Sequence, residues 1–146
     1  MASIEKDLSL NLKIQPTSFF KKRMKELAGV LLLALMVLLS AAFLTYNASD
    51  ASWNSANTAT AINILGAPGA IISDVLIQMI GIANFLLVIV PSFWGIRLLT
   101  HSSIEKPFLR LIFLSIGVIL FSSSVARTSV PEFWPTSSGL GGTLGL

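Results

Sequence analysis

The chain has 146 residues, 53% hydrophobic and only 12% charged, with ten Lys or Arg against seven Asp or Glu and a formal net charge of +3. Soluble domains carry about 25% charged residues, so this balance argues against a soluble enzyme and for an α-helical membrane protein. Most basic residues lie at the ends of apolar segments, where they read as topology signals rather than as a patch for nucleic acid. The absence of cysteine excludes a disulfide, a thiolate nucleophile or a cysteine metal site.

Residues 1–26 are polar and mixed in charge. Leu8, Leu10, Leu12 and Ile14 alternate with polar neighbours up to Pro16, a pattern that suits a short strand or an extended segment, and a loosely ordered cytoplasmic basic tail is expected. The cluster Lys21, Lys22, Arg23, Lys25 then precedes twenty uncharged residues, Leu27 to Tyr46. At about 1.5 Å per residue these cross the roughly 30 Å hydrocarbon layer. Their leucines, valines and phenylalanine favour insertion by about 3 to 6 kcal/mol. A signal peptide is the rival reading, because Ser40, Ala41 and Ala42 resemble a cleavage site. The long preceding region and the apolar continuation through Phe43, Leu44 and Tyr46 favour a span.

Asn47 to Leu65 is rich in Asn, Ser, Thr and Ala and reads as an outer loop, with Trp53 suited to the headgroup region. From Gly69 to Leu99 an apolar stretch follows in which only Asp74 and Arg97 are charged. A helix of that length measures about 46 Å, too long for one upright crossing. Ile80 to Leu99 is therefore expected to span, kinked at Pro91, while Gly69 to Met79 lies at the outer interface as the extension of a continuous tilted helix. After a polar turn containing His101, Glu105 and Lys106, Phe108 to Ala126 forms a third span. Arg110 snorkels at its start, and Ser122, Ser123 and Ser124 near its end bond back to helix carbonyls. Residues 127–138 make a second outer loop, and Gly139 to Leu146 opens an incomplete fourth span, its eight residues reaching only about 12 Å.

Positive charge sets the orientation. Six Lys or Arg precede Leu27, the first outer loop has none, the stretch from Arg97 through Lys106 to Arg110 has three, and the last loop has only Arg127. The N-terminus and the turn after Arg97 are accordingly cytoplasmic.

Residues that carry chemistry are few. The sequence holds no phosphate-binding loop, no HExxH and no GxSxG, so no catalytic, cofactor-binding or metal-ligating residue is assigned, and no nucleic acid is expected to bind the chain itself. His101 reads as a solvated or lipid-facing residue. Asp74 and Gln78 share a helix face and read as interfacial, although an intramembrane carboxylate would point to ion or proton transport. Asn84 reads as an interhelical hydrogen bonder, Gly81, Gly95 and Gly117 as points of close helix approach, and Trp94 as an anchor at the cytoplasmic interface.

Four stretches carry a resemblance. The run from Thr45 through Tyr46, Asn47, Ser49, Asp50 and Trp53 to Asn54 is similar to the TYNPSDPSWN-like segment after the first span of FtsK/SpoIIIE-type DNA translocases. Asn63 to Ala70, with Gly66 and Gly69, then Phe93 to Arg97, with Trp94, Gly95 and Arg97, then Trp134 and Pro135 through Gly139, Gly141 and Gly142 match in order. Ala48 and Ala51 stand where that family often has proline, and Leu146 where it has an acid. The resemblance implies the family's N-terminal four-span region, cut before the fourth span is complete and lacking the motor. It would lie in the bacterial inner membrane as a septal anchor, in contact with the lipid bilayer, with copies of itself and with other cell-division membrane proteins. A small independent channel or transporter, with Asp74, Gln78 and Asn84 along its path, and a non-functional remnant of a split gene are the competing readings.

Overall fold

The computed structural model of the chain describes residues 2–52, 60–102 and 104–146, with side chains from Phe19 onward. Trp53 and Ser103 lie outside the described residues. The described elements are all helical: α1 (Ala2–Leu44), α2 (Gly66–Ile80), a 3-10 turn (Gly81–Ala83), α3 (Asn84–Leu99), α4 (Pro107–Val125) and the single turn α5 (Gly142–Gly145). Three stretches are long and apolar enough to cross a membrane, Phe19–Leu44, Gly66–Leu99 and Pro107–Val125. Most of their side chains face outward, with Val37, Phe93 and Phe113 each more than 60% exposed. Lipid is the solvent for such surfaces, and only helices with internally satisfied backbones tolerate it.

The expected loose tail is replaced by helix, since α1 begins at Ala2 and continues without a break into the first span. The period-2 spacing of Leu8, Leu10, Leu12 and Ile14 did not decide the backbone. Elongating an existing helix fixes one residue per hydrogen bond, which is easier than nucleating a new element.

The two best-packed spans are α1 and α3. Gly29, Met36 and Phe43 recur every seven residues on α1 and are buried, the spacing of an interhelical seam. The α3 helix runs antiparallel to it: Gly29 lies against Gly95 and Leu98 near one end, and Phe43 meets Phe85 edge-to-face at the other, ring centroids 6.4 Å apart. A Cβ added at Gly29 would sit 2.9 Å from the Gly95 carbonyl oxygen, and one added at Gly95 would sit 2.8 Å from the Leu33 side chain. The glycines therefore set the interhelical distance, as small residues do in lipid. Gly117 behaves differently from the expectation, because nothing lies within 4 Å of its added Cβ. It faces open surface on α4, whose only buried positions are Val118 and Ser122.

The apolar stretch from Gly66 to Leu99 is not one tilted helix. It breaks at Ile80 and Gly81, where Gly81 adopts φ +58° and ψ −137°, a region essentially restricted to glycine. Ile80 and Ala83, either side of the break, pack with Val118 of α4 and form the small apolar core under Leu86, Leu87 and Leu114. Beyond the break α3 runs through Pro91, which removes one helical N–H, and the Ser92 hydroxyl donates to the Val88 carbonyl at 2.7 Å.

At the opposite, inner end the α3–α4 turn is fixed by two left-handed residues, His101 (φ 60°) and Lys106 (φ 49°). Ser102 N–H donates to the Arg97 carbonyl at 3.0 Å across His101, the arrangement usual for a glycine after a helix end. Pro107 then occupies the first turn of α4, where its fixed φ suits a helix start.

Candidate functional site

At the outer ends of the helices a set of small polar residues ties three separate segments together. Asn63 is 3% exposed and is the centre of it. Its Nδ2 donates to the carbonyls of Ala42 (2.9 Å) and Thr45 (3.3 Å), which belong to the last turn of α1 and the residue after it. Its Oδ1 accepts from Leu65 N–H at 3.1 Å, and its own N–H donates to Asp50 Oδ2 at 2.9 Å. Helix ends leave up to four carbonyls without intrahelical partners, so one buried amide both caps α1 and fixes the entry to α2. Asp50, 5% exposed, also accepts from Ile62 N–H at 2.8 Å, and Thr45 Oγ1 accepts from Ile64 N–H at 3.2 Å. Ser49 N–H bonds Asn47 Oδ1 at 2.9 Å, a local Asx turn that starts the loop.

Helix α2 is pulled against the same point. Gly69 is buried under Asn63, with the Leu65 and Asn63 side chains where a Cβ would go, and Gly66 takes φ +65° at the turn into the helix. One turn on, Asp74 is 7% exposed and receives two hydrogen bonds on Oδ1, from the Tyr46 hydroxyl at 2.9 Å and from Gln78 Nε2 at 2.7 Å. Burial pushes the Tyr46 phenol well above its ordinary value, and the bond to the Asp74 carboxylate adds to the shift. Asp74 is thus buried and doubly bonded, a strut between Tyr46, just after α1, and α2.

The second outer loop docks on the helix break. Ile82 N–H, freed by the break, donates to the Leu140 carbonyl at 2.8 Å. Gly142, at φ +61°, lies against the Met79 carbonyl and the Gly81 amide, where an added Cβ would come within 2.7 Å of both. Gly141 lies against Ser122 and Ala126 of α4, and the Ser122 hydroxyl donates to the Gly141 carbonyl. This corrects the expectation for Ser122, which bonds across to the loop; Ser124 does bond back, to the Leu120 carbonyl at 2.7 Å. Trp134 Nε1 donates to the Gly139 carbonyl at 3.0 Å and to Thr136 Oγ1 at 2.9 Å, holding the loop's shape with Gly139 at φ +73°. Segment 139–146, expected to open a fourth span, begins as this docked turn and the one-turn α5.

The sequence-based candidates therefore separate into two ends. Tyr46, Asn47, Ser49, Asp50, Gly66, Gly69, Trp134, Pro135, Gly139, Gly141 and Gly142 gather at the outer end. Lys21, Lys22, Arg23 and Lys25 mark the start of the first span, and Arg97, Lys106 and Arg110 flank the inner turn. Trp94 is half-buried and Gly95 buried on the inner half of α3. Arg110 Nε bonds the Glu105 carbonyl at 2.9 Å. His101 is not simply solvated, because its Nε2 lies 3.4 Å from Glu26 Oε1, whose other oxygen pairs with Arg23 Nη1 at 2.6 Å. Asn84 is 1% exposed, and its Oδ1 has no hydrogen-bond partner among the described residues, contrary to the interhelical bond expected. Asn63, Ser73, Gly81 and Ser122 escaped assignment as site residues, although each is a small or polar residue set in apolar surroundings. Among the described residues no group of three or more His, Asp or Glu is placed to hold a metal ion.

The profile described as the 4TM region of DNA translocase FtsK/SpoIIIE matches residues 21–146. DNA translocase FtsK of Bradyrhizobium diazoefficiens is 35% identical over 147 aligned residues, covering 99% of this chain and 18% of that protein. DNA translocase FtsK of Azospirillum brasilense is 36% identical, covering 88% of this chain and 21% of that protein. That of Rhizobium meliloti is 30% identical, covering 88% and 15%. The chain thus spans roughly a fifth or less of the length of these relatives. No solved structure matches it.

Proposed function

This chain belongs to the FtsK/SpoIIIE family as its membrane region, a multi-pass domain of the bacterial inner membrane, and from that premise we propose that it anchors and positions a DNA translocase at the division site through contacts of its outer face and its lipid-facing helices. The observation that carries the reading is where the family-like residues sit. Together with Asp74 they build a hydrogen-bonded clamp at the outer end of the spans, made of a helix cap, two buried carboxylates that accept hydrogen bonds and three positive-φ glycines. A clamp of this kind presents a fixed surface and performs no bond chemistry. ATP hydrolysis needs a phosphate loop, which this sequence lacks, so the domain acts without hydrolysing nucleotide, and its basic residues, placed at the ends of apolar segments, serve topology rather than DNA binding. Its partners are the lipid bilayer, further copies of itself and other division proteins of the inner membrane.

The test is localisation. A fluorescent fusion to residues 1–146 should gather at division septa, and Asn63→Leu, which removes the α1 cap, should disperse it around the membrane at equal abundance. Uniform membrane fluorescence of the unaltered chain would overturn the proposal. The transport reading makes the opposite demand on one residue: Asp74→Asn would abolish ion uptake into vesicles, whereas an anchor with that change still localises.

A further inference from the structure

Between the clamp and the second outer loop lies a cavity of about 340 Å³, lined by Tyr46, Ala48, Gln78, Thr143 and the segment from Pro135 to Ser138. We propose that this cavity is a binding site for a neutral oligosaccharide on the outer face of the membrane.

The argument rests on what the lining offers and what it lacks. No lining residue carries a formal charge, so nothing in the wall compensates the desolvation of an anion, and the Asp74 carboxylate, which would draw a cation, stands behind Tyr46 and Gln78 and already accepts from both. An anion would also meet that carboxylate. An apolar ligand is disfavoured for the reverse reason, since Tyr46, Gln78, Thr136, Ser137, Ser138 and Thr143 line the wall with hydroxyl and amide groups, and the hydrogen-bonding capacity they keep beyond their internal bonds would lose water without gaining partners. Sugar rings meet both conditions. Their hydroxyls donate and accept in turn, matching groups that do the same, while their C–H faces suit the Tyr46 and Pro135 rings. The volume is at the lower end of the roughly 300–1,000 Å³ of ligand sites.

The lining is also held before any ligand arrives. Tyr46 and Gln78 are fixed on Asp74, Thr136 Oγ1 accepts from Trp134 Nε1 at 2.9 Å, and Ser138 Oγ lies 3.4 Å from the same oxygen. Fixed donors and acceptors reduce the ordering cost of binding. The cavity opens on the side of the membrane whose loops hold Arg127 alone among ten basic residues, the side away from the cytoplasm.

The experiment uses the full chain in a detergent without a sugar headgroup, since alkyl glycosides would compete. Saturation-transfer NMR would be recorded with maltotriose, which offers hydroxyls only, and with triacetylchitotriose, which adds acetamido groups. Saturable binding of either at millimolar concentration supports the site, and the one preferred distinguishes a plain glycan from an aminosugar polymer. Ser137→Trp, which fills the cavity from an exposed loop position, and Thr143→Leu should each weaken that binding at least about tenfold. Absence of saturable binding of both sugars to the unaltered chain, or undiminished binding to both variants, would overturn the proposal.

Discussion

Replacing Gly81 by alanine tests whether the break between α2 and α3 organises the outer face. The native backbone there has φ +58° and ψ −137°, and forcing a residue with a Cβ into such a region costs about 1–3 kcal/mol. The new methyl would also overlap the Leu140 carbonyl, which accepts from Ile82 N–H at 2.8 Å. Losing that hydrogen bond adds about 0.5–1.5 kcal/mol, so the expected destabilisation is about 1.5–4.5 kcal/mol by addition of the two contributions. The matched control is Gly117→Ala, in mid-α4 with no atom within 4 Å of the added Cβ, where alanine should stabilise the helix by up to about 1 kcal/mol. Unfolding free energies in mixed micelles, with protection of a single cysteine at position 140 in the same chains, would separate the two. Gly81→Ala should unfold more easily and expose position 140, whereas Gly117→Ala should do neither. Equal stability of the Gly81 variant and the unaltered chain, with position 140 still protected, would refute the idea that a glycine-only conformation and a docked carbonyl hold this break.

Other expectations follow from the same geometry. Single cysteines at Ser138 and at Glu105, in a chain with none of its own, should react with a membrane-impermeant maleimide from opposite sides of the membrane; labelling of both from one side would sink the three-crossing topology. Tyr46 is the single tyrosine, so tyrosinate absorbance reports it alone. It should not ionise at its ordinary value of about 10, and Asp74→Asn should bring its transition down. Because the folded phenol is raised, the stability linked to Tyr46 is fully present below about pH 10 and falls as pH rises beyond it; unfolding that is insensitive to alkali would contradict this. Ser122→Ala leaves the Gly141 carbonyl without its α4 donor and should cost about 1–3 kcal/mol, while Ser124→Ala, which removes only a back-bond within the helix, should be near neutral in the same unfolding assay.

The membrane class and the presence of three long apolar helices were legible in the sequence because bilayer insertion depends on local quantities: uncharged runs such as Leu27 to Tyr46 and basic residues at their ends. Arg97, Lys106 and Arg110 read one at a time as charges at an interface, an assignment that the labelling at position 105 tests. The fate of residues 1–26 was not legible, because a short alternating pattern competes weakly with propagation of a helix already formed behind it. The outer clamp was half legible. The residues Tyr46, Asp50, Gly66, Gly139 and Gly142 stood out as a family-like pattern, but nothing along the chain says that Asp50 receives the Asn63 backbone, that Tyr46 reaches Asp74, or that Ser122 turns from its own helix to Gly141. Those pairings join positions from 13 to 28 residues apart. They are fixed by where antiparallel packing of α1 against α3 brings the helix ends together and leaves carbonyls unpaired. The sequence by itself determined which segments enter the bilayer; only the tertiary structure decided which polar groups close its outer face, because a buried donor is satisfied by what lies next to it in space.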